Sequence, residues 1–313
     1  MCPSITLSDI ATQSGNTWTS IQNVTILKCQ TLTIPYGETL EITIGQTLIN
    51  KGTIVNFGSL NNSGTINDTT TTPSGTINNM GGTITNTGTF NIQSGNKLYN
   101  SGTLTNSGTI TLKTVSSIIN NYGEFNNYKT ITNINSRPDS FPSINNYGKF
   151  YNGTVSNYDN SLITTEDRNR TIITNSSGGT FYNYGTIKTY IQIENKNYFY
   201  NYGTMIIYRG FSNISKFYNF SRLTIDETGS NIKKPMNTGT IYTTGTLSSL
   251  KIQINSYNAG IIYIYDSGTL INSKIFTNVG KIYKGDDGYC GSGTITNTVT
   301  GTIISAPEDG CPP

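Results

Sequence analysis

The chain has 313 residues, 34% hydrophobic and 12% charged, with 20 Lys and Arg against 17 Asp and Glu and no His. A net charge of +3 scattered along the chain forms no basic stripe, which argues against nucleic acid as a partner, and no run of 18 apolar residues is present to insert into a membrane. Without His, the Ser-His-Asp and Cys-His catalytic arrangements are excluded, and with no CxxC pair a zinc site is disfavoured; neither metal nor cofactor is expected.

Residues 1–30 hold Cys2, Trp18 and Cys29 and lack the phrase that fills the rest of the chain, so they read as an N-terminal cap. The opening MCPSITLSDIATQSGNTW has no basic segment leading into an apolar one, and no export signal is expected. From residue 31 a phrase N-x-G-T-[I/L/F] takes over, starting at Asn62, Asn86, Asn100, Asn106, Asn183, Asn201 and Asn237, with looser copies at Asn121, Asn146, Asn258 and Asn278. Copies recur six residues apart or about 18–21 apart, as in FYNYGTI (181–187), FYNYGTM (199–205), FYNFSRL (217–223) and PMNTGTI (235–241). Two polar excursions interrupt the pattern, at 137–142 (RPDSFP) and 164–171, and residues 285–313 read as a C-terminal cap or assembly segment.

Helical repeats need helix formers and a 3.6-residue apolar period, and neither is present. Within each phrase apolar and polar residues alternate with the period of two that marks a strand, and Asn-x-Gly supplies residues that bend sharply through left-handed backbone. The expected fold is therefore all-β: a single-stranded parallel β-helix over 31–284, with rungs of about 18–21 residues and covered ends, because a bare edge strand is an open template for pairing. Stacked rungs align like with like. Phe181, Phe199 and Phe217 should form one core column and Ile187, Met205, Leu223 and Ile241 another, while Asn183, Asn201, Asn219 and Asn237 should form an internal amide ladder.

Candidate functional residues fall into three groups. Tyr182, Tyr200 and Tyr218 on one outward line, and Tyr184, Tyr202 and Phe220 on another, make a two-lane aromatic strip that could bind glycans or a host surface, or merely stiffen the sheet. Cys2, Cys29, Cys290 and Cys311 lie only near the ends; they read as end staples, Cys2 with Cys29 and Cys290 with Cys311, as joints between subunits, or as free thiols. Glu166, Asp167, Arg168, Asp286 and Asp287 are the charged candidates for polysaccharide lyase or hydrolase chemistry, but no carboxylate recurs at rung spacing, so solvated loop charge is the favoured reading and no catalytic residue is assigned. Thr-x-Thr triplets at 83–85, 103–105, 109–111 and 294–296 are too interrupted for an ice-binding face, and the glycosylation sequons are no more frequent than so many Asn, Ser and Thr produce by chance.

The phrases NNSGTI, TNTGTF and NYGTI, with LTIPYGETL at 32–40, resemble the Asn/Gly/Thr-rich repeats of β-helical surface proteins, namely bacterial filamentous adhesins and repeat proteins of giant DNA viruses. The resemblance covers roughly residues 30–305 and implies a stiff, non-enzymatic rod or fibre on a virion surface or in an extracellular setting, given to self-association. It carries over no catalytic residue. An exported adhesin binding glycans through the tyrosine strip and a polysaccharide-degrading β-helix enzyme are the alternatives.

Overall fold

The computed structural model describes residues 4–69, 75–93, 95–113, 117–134, 143–153, 162–165, 172–189, 192–207, 210–225, 236–237, 240–243, 249–252, 256–258, 261–264, 269–272, 275–278, 281–284, 294–297, 302–304 and 308–309. Four-residue strands follow one another around a three-sided coil. Thr53–Asn56 lies in one sheet, Ser59–Asn62 in the next and Thr65–Asp68 in the third, after which Thr76–Asn79 returns to the first. We call these faces sheets II, I and III in that order; sheet I has 15 strands and the others 13 each. Apart from one antiparallel hairpin, Ala11–Ser14 with Thr17–Ser20, the pairing is parallel. Thirteen strands at ~4.8 Å per rung make a stack roughly 60 Å long.

This geometry explains both spacings in the sequence. A strand of four with a two-residue corner is one side, hence the six-residue recurrence, and three sides make the 18-residue rung, as from Asn183 to Asn201. The alternation within a side is regular: in Thr180–Asn183 and its neighbours, positions two and four are buried and positions one and three face outward. Position two forms the hydrophobic core. In sheet I it runs Leu40, Leu60, Ile84, Leu104, Phe125, Phe150, Phe181, Phe199 and Phe217, each buried.

The repeat glycine has a different purpose from the one its chemistry first suggests. Among the described residues, positive φ is confined to Gly15, Gly37, Gly45, Gly81, Gly95, Gly153 and Gly178, which include none of the N-x-G-T glycines. Those glycines are needed because rungs touch at the corners. A Cβ on Gly108 would lie 2.1 Å from the carbonyl oxygen of Gly88 directly beneath, and one on Gly203 would lie 2.1 Å from that of Gly185. The corner amides bond to the rung below: Tyr202 N and Gly203 N both donate to Asn183 O, at 2.7 and 3.0 Å. No backbone donor is stranded at the bend, so the turn is satisfied by stacking.

At the N-terminal end a 3-10 turn, Leu7–Asp9, precedes the hairpin, and Leu7, Ile10 and Ala11 join the core while Trp18 packs partly buried against it. Trp18 Nε1 donates to Glu38 Oε2 at 2.7 Å, tying the hairpin to the first regular rung. Val24–Ile26 already pairs in parallel with Leu48–Asn50, so rung pairing begins inside the segment read as the cap. Of the excursion placed at 164–171, Thr164 and Thr165 lie instead in the strand Leu162–Thr165, and 166–171 lie outside the described residues. The excursion at 137–142 lies outside the described residues, as does most of 285–313, where three strands, Thr294–Asn297, Thr302–Ile304 and Glu308–Asp309, continue the parallel pairing.

Candidate functional site: amide ladders and a tyrosine face

Position four of each side is buried at a corner and is usually Asn. Two long amide ladders result. At the corner after sheet I, Asn62, Asn86, Asn106, Asn127, Asn152, Asn183, Asn201 and Asn219 are linked by Nδ2 donating to the next Oδ1 at 2.7–2.8 Å. At the corner after sheet II, the same bond runs from Asn56 through Asn79, Asn100, Asn121, Asn146, Asn175, Asn195, Asn213 and Asn237 to Asn258, at 2.7–2.9 Å. The second amide hydrogen often reaches a main-chain carbonyl, as in Asn100 Nδ2 to Glu124 O at 2.9 Å. Every bond points the same way, so the first oxygens, Asn56 Oδ1 and Asn62 Oδ1, are buried without a donor; beneath them sit Ile34 and Ile42.

Two sequence assignments are corrected here. Asn237 belongs to the ladder after sheet II, accepting from Asn213, whereas Asn219 stands in register with Thr243. Likewise Ile241 follows Phe217 in the core of sheet I, and the column Ile187, Met205, Leu223 continues to Leu250. The cause is the stretch 226–235 between two strands, which delays the chain by one six-residue side. Asn237 keeps the 18-residue interval from Asn219 and lands one corner early.

The third corner, after sheet III, is not a continuous amide ladder. Asn50 Nδ2 donates to Asp68 Oδ1 at 2.8 Å, and above Asp68 the column turns apolar at Ile92 and Leu112. Asp68 is fully buried, and desolvation pushes its pKa up to about 8, with the Asn50 and Asn96 amides pulling the other way. It is a carboxyl kept largely neutral between the amide of Asn50 below and the apolar Ile92 above. The phrase TIND, against TIN-N elsewhere, was the signal in the sequence, and it was passed over.

On the outside of sheet I the predicted strip is present. Tyr182, Tyr200 and Tyr218 stack at 5.0 and 4.8 Å between ring centroids, and Tyr184, Tyr202 and Phe220 at 4.9 and 4.6 Å, with planes within 9° of parallel. Lateral neighbours in one rung stand 6.3–6.5 Å apart. Beyond Tyr218 the register of the first lane runs on through Tyr242, Tyr263 and Tyr283, and two described rings were missed: Tyr151 extends the first lane, 4.9 Å from Tyr182, and Tyr198 adds a third position beside Tyr200 at 6.4 Å. KFYNGT at 149–154 carries the FYN signal for the former. Tyr200 therefore has tyrosines on four sides.

Burial and these neighbours hold the Tyr200 phenol above its ordinary value; burial does the same for Tyr218 and Tyr151. The rings stack along the rod axis, so each face of Tyr200 and Tyr202 is covered by the ring above or below. A sugar arriving from solvent meets ring edges and hydroxyls, whereas sugar stacking uses ring faces.

Cys29 is described and is no free thiol; Cys2, Cys290 and Cys311, and with them the proposed pairings, lie outside the described residues. So do Glu166, Asp167, Arg168, Asp286 and Asp287. Among the described residues no three acidic, Cys or His side chains cluster to hold a metal, and no helix is long and apolar enough to cross a membrane. Comparison of the chain with protein-family models, with curated proteins and with solved structures finds no match.

Proposed function

We propose that this protein is a non-enzymatic structural element, a stiff rod that works by its shape and its capacity to self-associate. The observation that carries this reading is the pair of in-register amide ladders running through the rod beside a continuous core, a construction in which each rung is held by the one below and bending must stretch hydrogen bonds at two corners together. The outward face adds stacked rings to the same axis. The finer assignment, a fibre component on the surface of a large virus or in another extracellular setting, rests on the resemblance of the Asn/Gly/Thr phrases to the repeats of such proteins. In this reading rods join end to end through their terminal strands, a heterologous contact that grows into a filament, and the terminal cysteines lock the joint.

Negative-stain electron microscopy of the purified chain with and without reducing agent tests this. Filaments that shorten to single rods on reduction are the expected outcome. Separate rods in both conditions would remove the disulfide joint, and globular or irregular particles would remove the rod itself.

A further inference from the structure

We propose that the tyrosine face of sheet I is a site of oxidative ring-to-ring coupling, in which phenols on successive rungs become joined as dityrosine and the rod is covalently stapled along its length. The substrate is the protein's own side chains, and the co-reactant is a one-electron oxidant of the peroxidase or photosensitiser class. The inference is independent of whether rods assemble.

The argument starts from what limits such coupling. Two phenols must each lose one electron and one proton, and the two radicals must then meet. The new bond joins ring carbons ortho to the hydroxyls, after which each ortho hydrogen moves to oxygen and restores aromaticity; two electrons and two protons leave in all. On an ordinary surface the meeting is the rare event, because tyrosines are scattered. Here it is built in. Tyr151, Tyr182, Tyr200 and Tyr218 form an unbroken column with centroids 4.8–5.0 Å apart, so a radical formed on any ring has a phenol in van der Waals contact.

The side lanes widen the target without interrupting it. Tyr198 and Tyr202 flank Tyr200 at 6.4 and 6.5 Å, and Tyr184 stacks on Tyr202 at 4.9 Å. Tyr198 is exposed and the other rings are half-buried with edges toward solvent, which leaves the ortho carbons reachable by an oxidant while the in-register sheet keeps partners together. Phe220, stacked on Tyr202, cannot form a phenoxyl radical, so Tyr200 is the phenol stacked on Tyr218 from the rung below, while Tyr242 stands in register with Tyr218 on the rung above. Tyr36, 91% exposed and outside this array, is the internal control: accessibility with no stacked ring among the described residues.

The experiment is illumination of the dilute full-length chain with ruthenium tris-bipyridyl and persulfate, followed by tryptic digestion and mass spectrometry. Cleavage after Arg170, Lys188, Lys196, Arg209, Lys216 and Arg222 places Tyr218 alone in peptide 217–222, Tyr200 in 197–209 and Tyr182 in 171–188. The expected products are 197–209 joined to 217–222 and to 171–188, in chains of monomer size, with a yield per molecule that does not change with protein concentration. Tyr200→Phe keeps the stacked ring and removes the phenol, and the link between 197–209 and 217–222 is lost; Tyr36→Phe leaves the products unchanged. Coupling found only between chains, rising with concentration, or equal in urea-denatured protein, or a link between 197–209 and 217–222 that survives Tyr200→Phe, would overturn the proposal, as would the absence of dityrosine.

Discussion

Sheet I shows two regions built on one backbone. In its first rungs the outward third position is Glu41, Asn61, Thr85 and Thr105 over a core of Leu40, Leu60, Ile84 and Leu104; later it is Tyr151, Tyr182, Tyr200 and Tyr218 over Phe150, Phe181, Phe199 and Phe217. Strand length and register are the same in both, and so is the corner Asn except in the strand of Glu41, which ends in Ile42. The difference teaches that the scaffold is set by the corners and the backbone ladder, while each column is free to change character provided its members change together. A ring stacks well on a ring and a methyl on a methyl, so homotypic columns follow from zero register shift.

The strongest way to break this comparison is to make one corner change in each region. Gly108→Ala and Gly203→Ala each drive a Cβ to 2.1 Å from backbone oxygen, and both are expected to cost on the order of 4 kcal/mol or more, read as loss of the cooperative thermal transition. A mild effect in the aromatic region alone would show that stacked rings, and not corners, hold it. Asn106→Ala and Asn201→Ala come next. Each strands one donor and one acceptor in neighbouring buried amides, at about 1–3 kcal/mol apiece, and denaturant midpoints should fall equally in the two variants.

Asp68 sharpens the comparison at the third corner. Its unfolded carboxyl ionises near 3.8 and its folded one near 8, so between those values unfolding releases a proton and stability falls as pH rises, by about 1.4 kcal/mol per unit. That stability is fully present below about pH 4 and lost through pH 8. Asp68→Asn should flatten this slope and raise the melting temperature at neutral pH; an unchanged slope would show that the carboxyl is not the group titrating. The smallest effect is expected outside, where Tyr200→Thr makes the second region resemble the first at a cost within about 1 kcal/mol.

Much of this was legible in the sequence because the fold repeats itself. The alternation in FYNYGTI, the recurring Asn and the stacking of Phe181, Phe199 and Phe217 all follow from residue types at a fixed interval. Phase was harder. With six residues to a side, an insertion of six is invisible to a count of 18, and Asn237 and Ile241 were placed on the wrong side for that reason. The role of the repeat glycine was also misread, since the residue that tolerates a left-handed turn is also the one that tolerates an oxygen where a Cβ would be. That rings would face one another, leaving edges to solvent, follows from parallel in-register pairing and needed only that step.

The unsatisfied oxygens at Asn56 and Asn62 have a consequence for the whole rod. Because every amide in both ladders is oriented alike, their dipoles add as peptide dipoles add in a helix, with the negative pole at the amino-terminal end. Each ladder thus carries an electrical arrow along the axis, set against the corner backbone amides, whose N–H groups point to the rung below; two ladders meeting tail to head continue that arrow, while two meeting head to head oppose it.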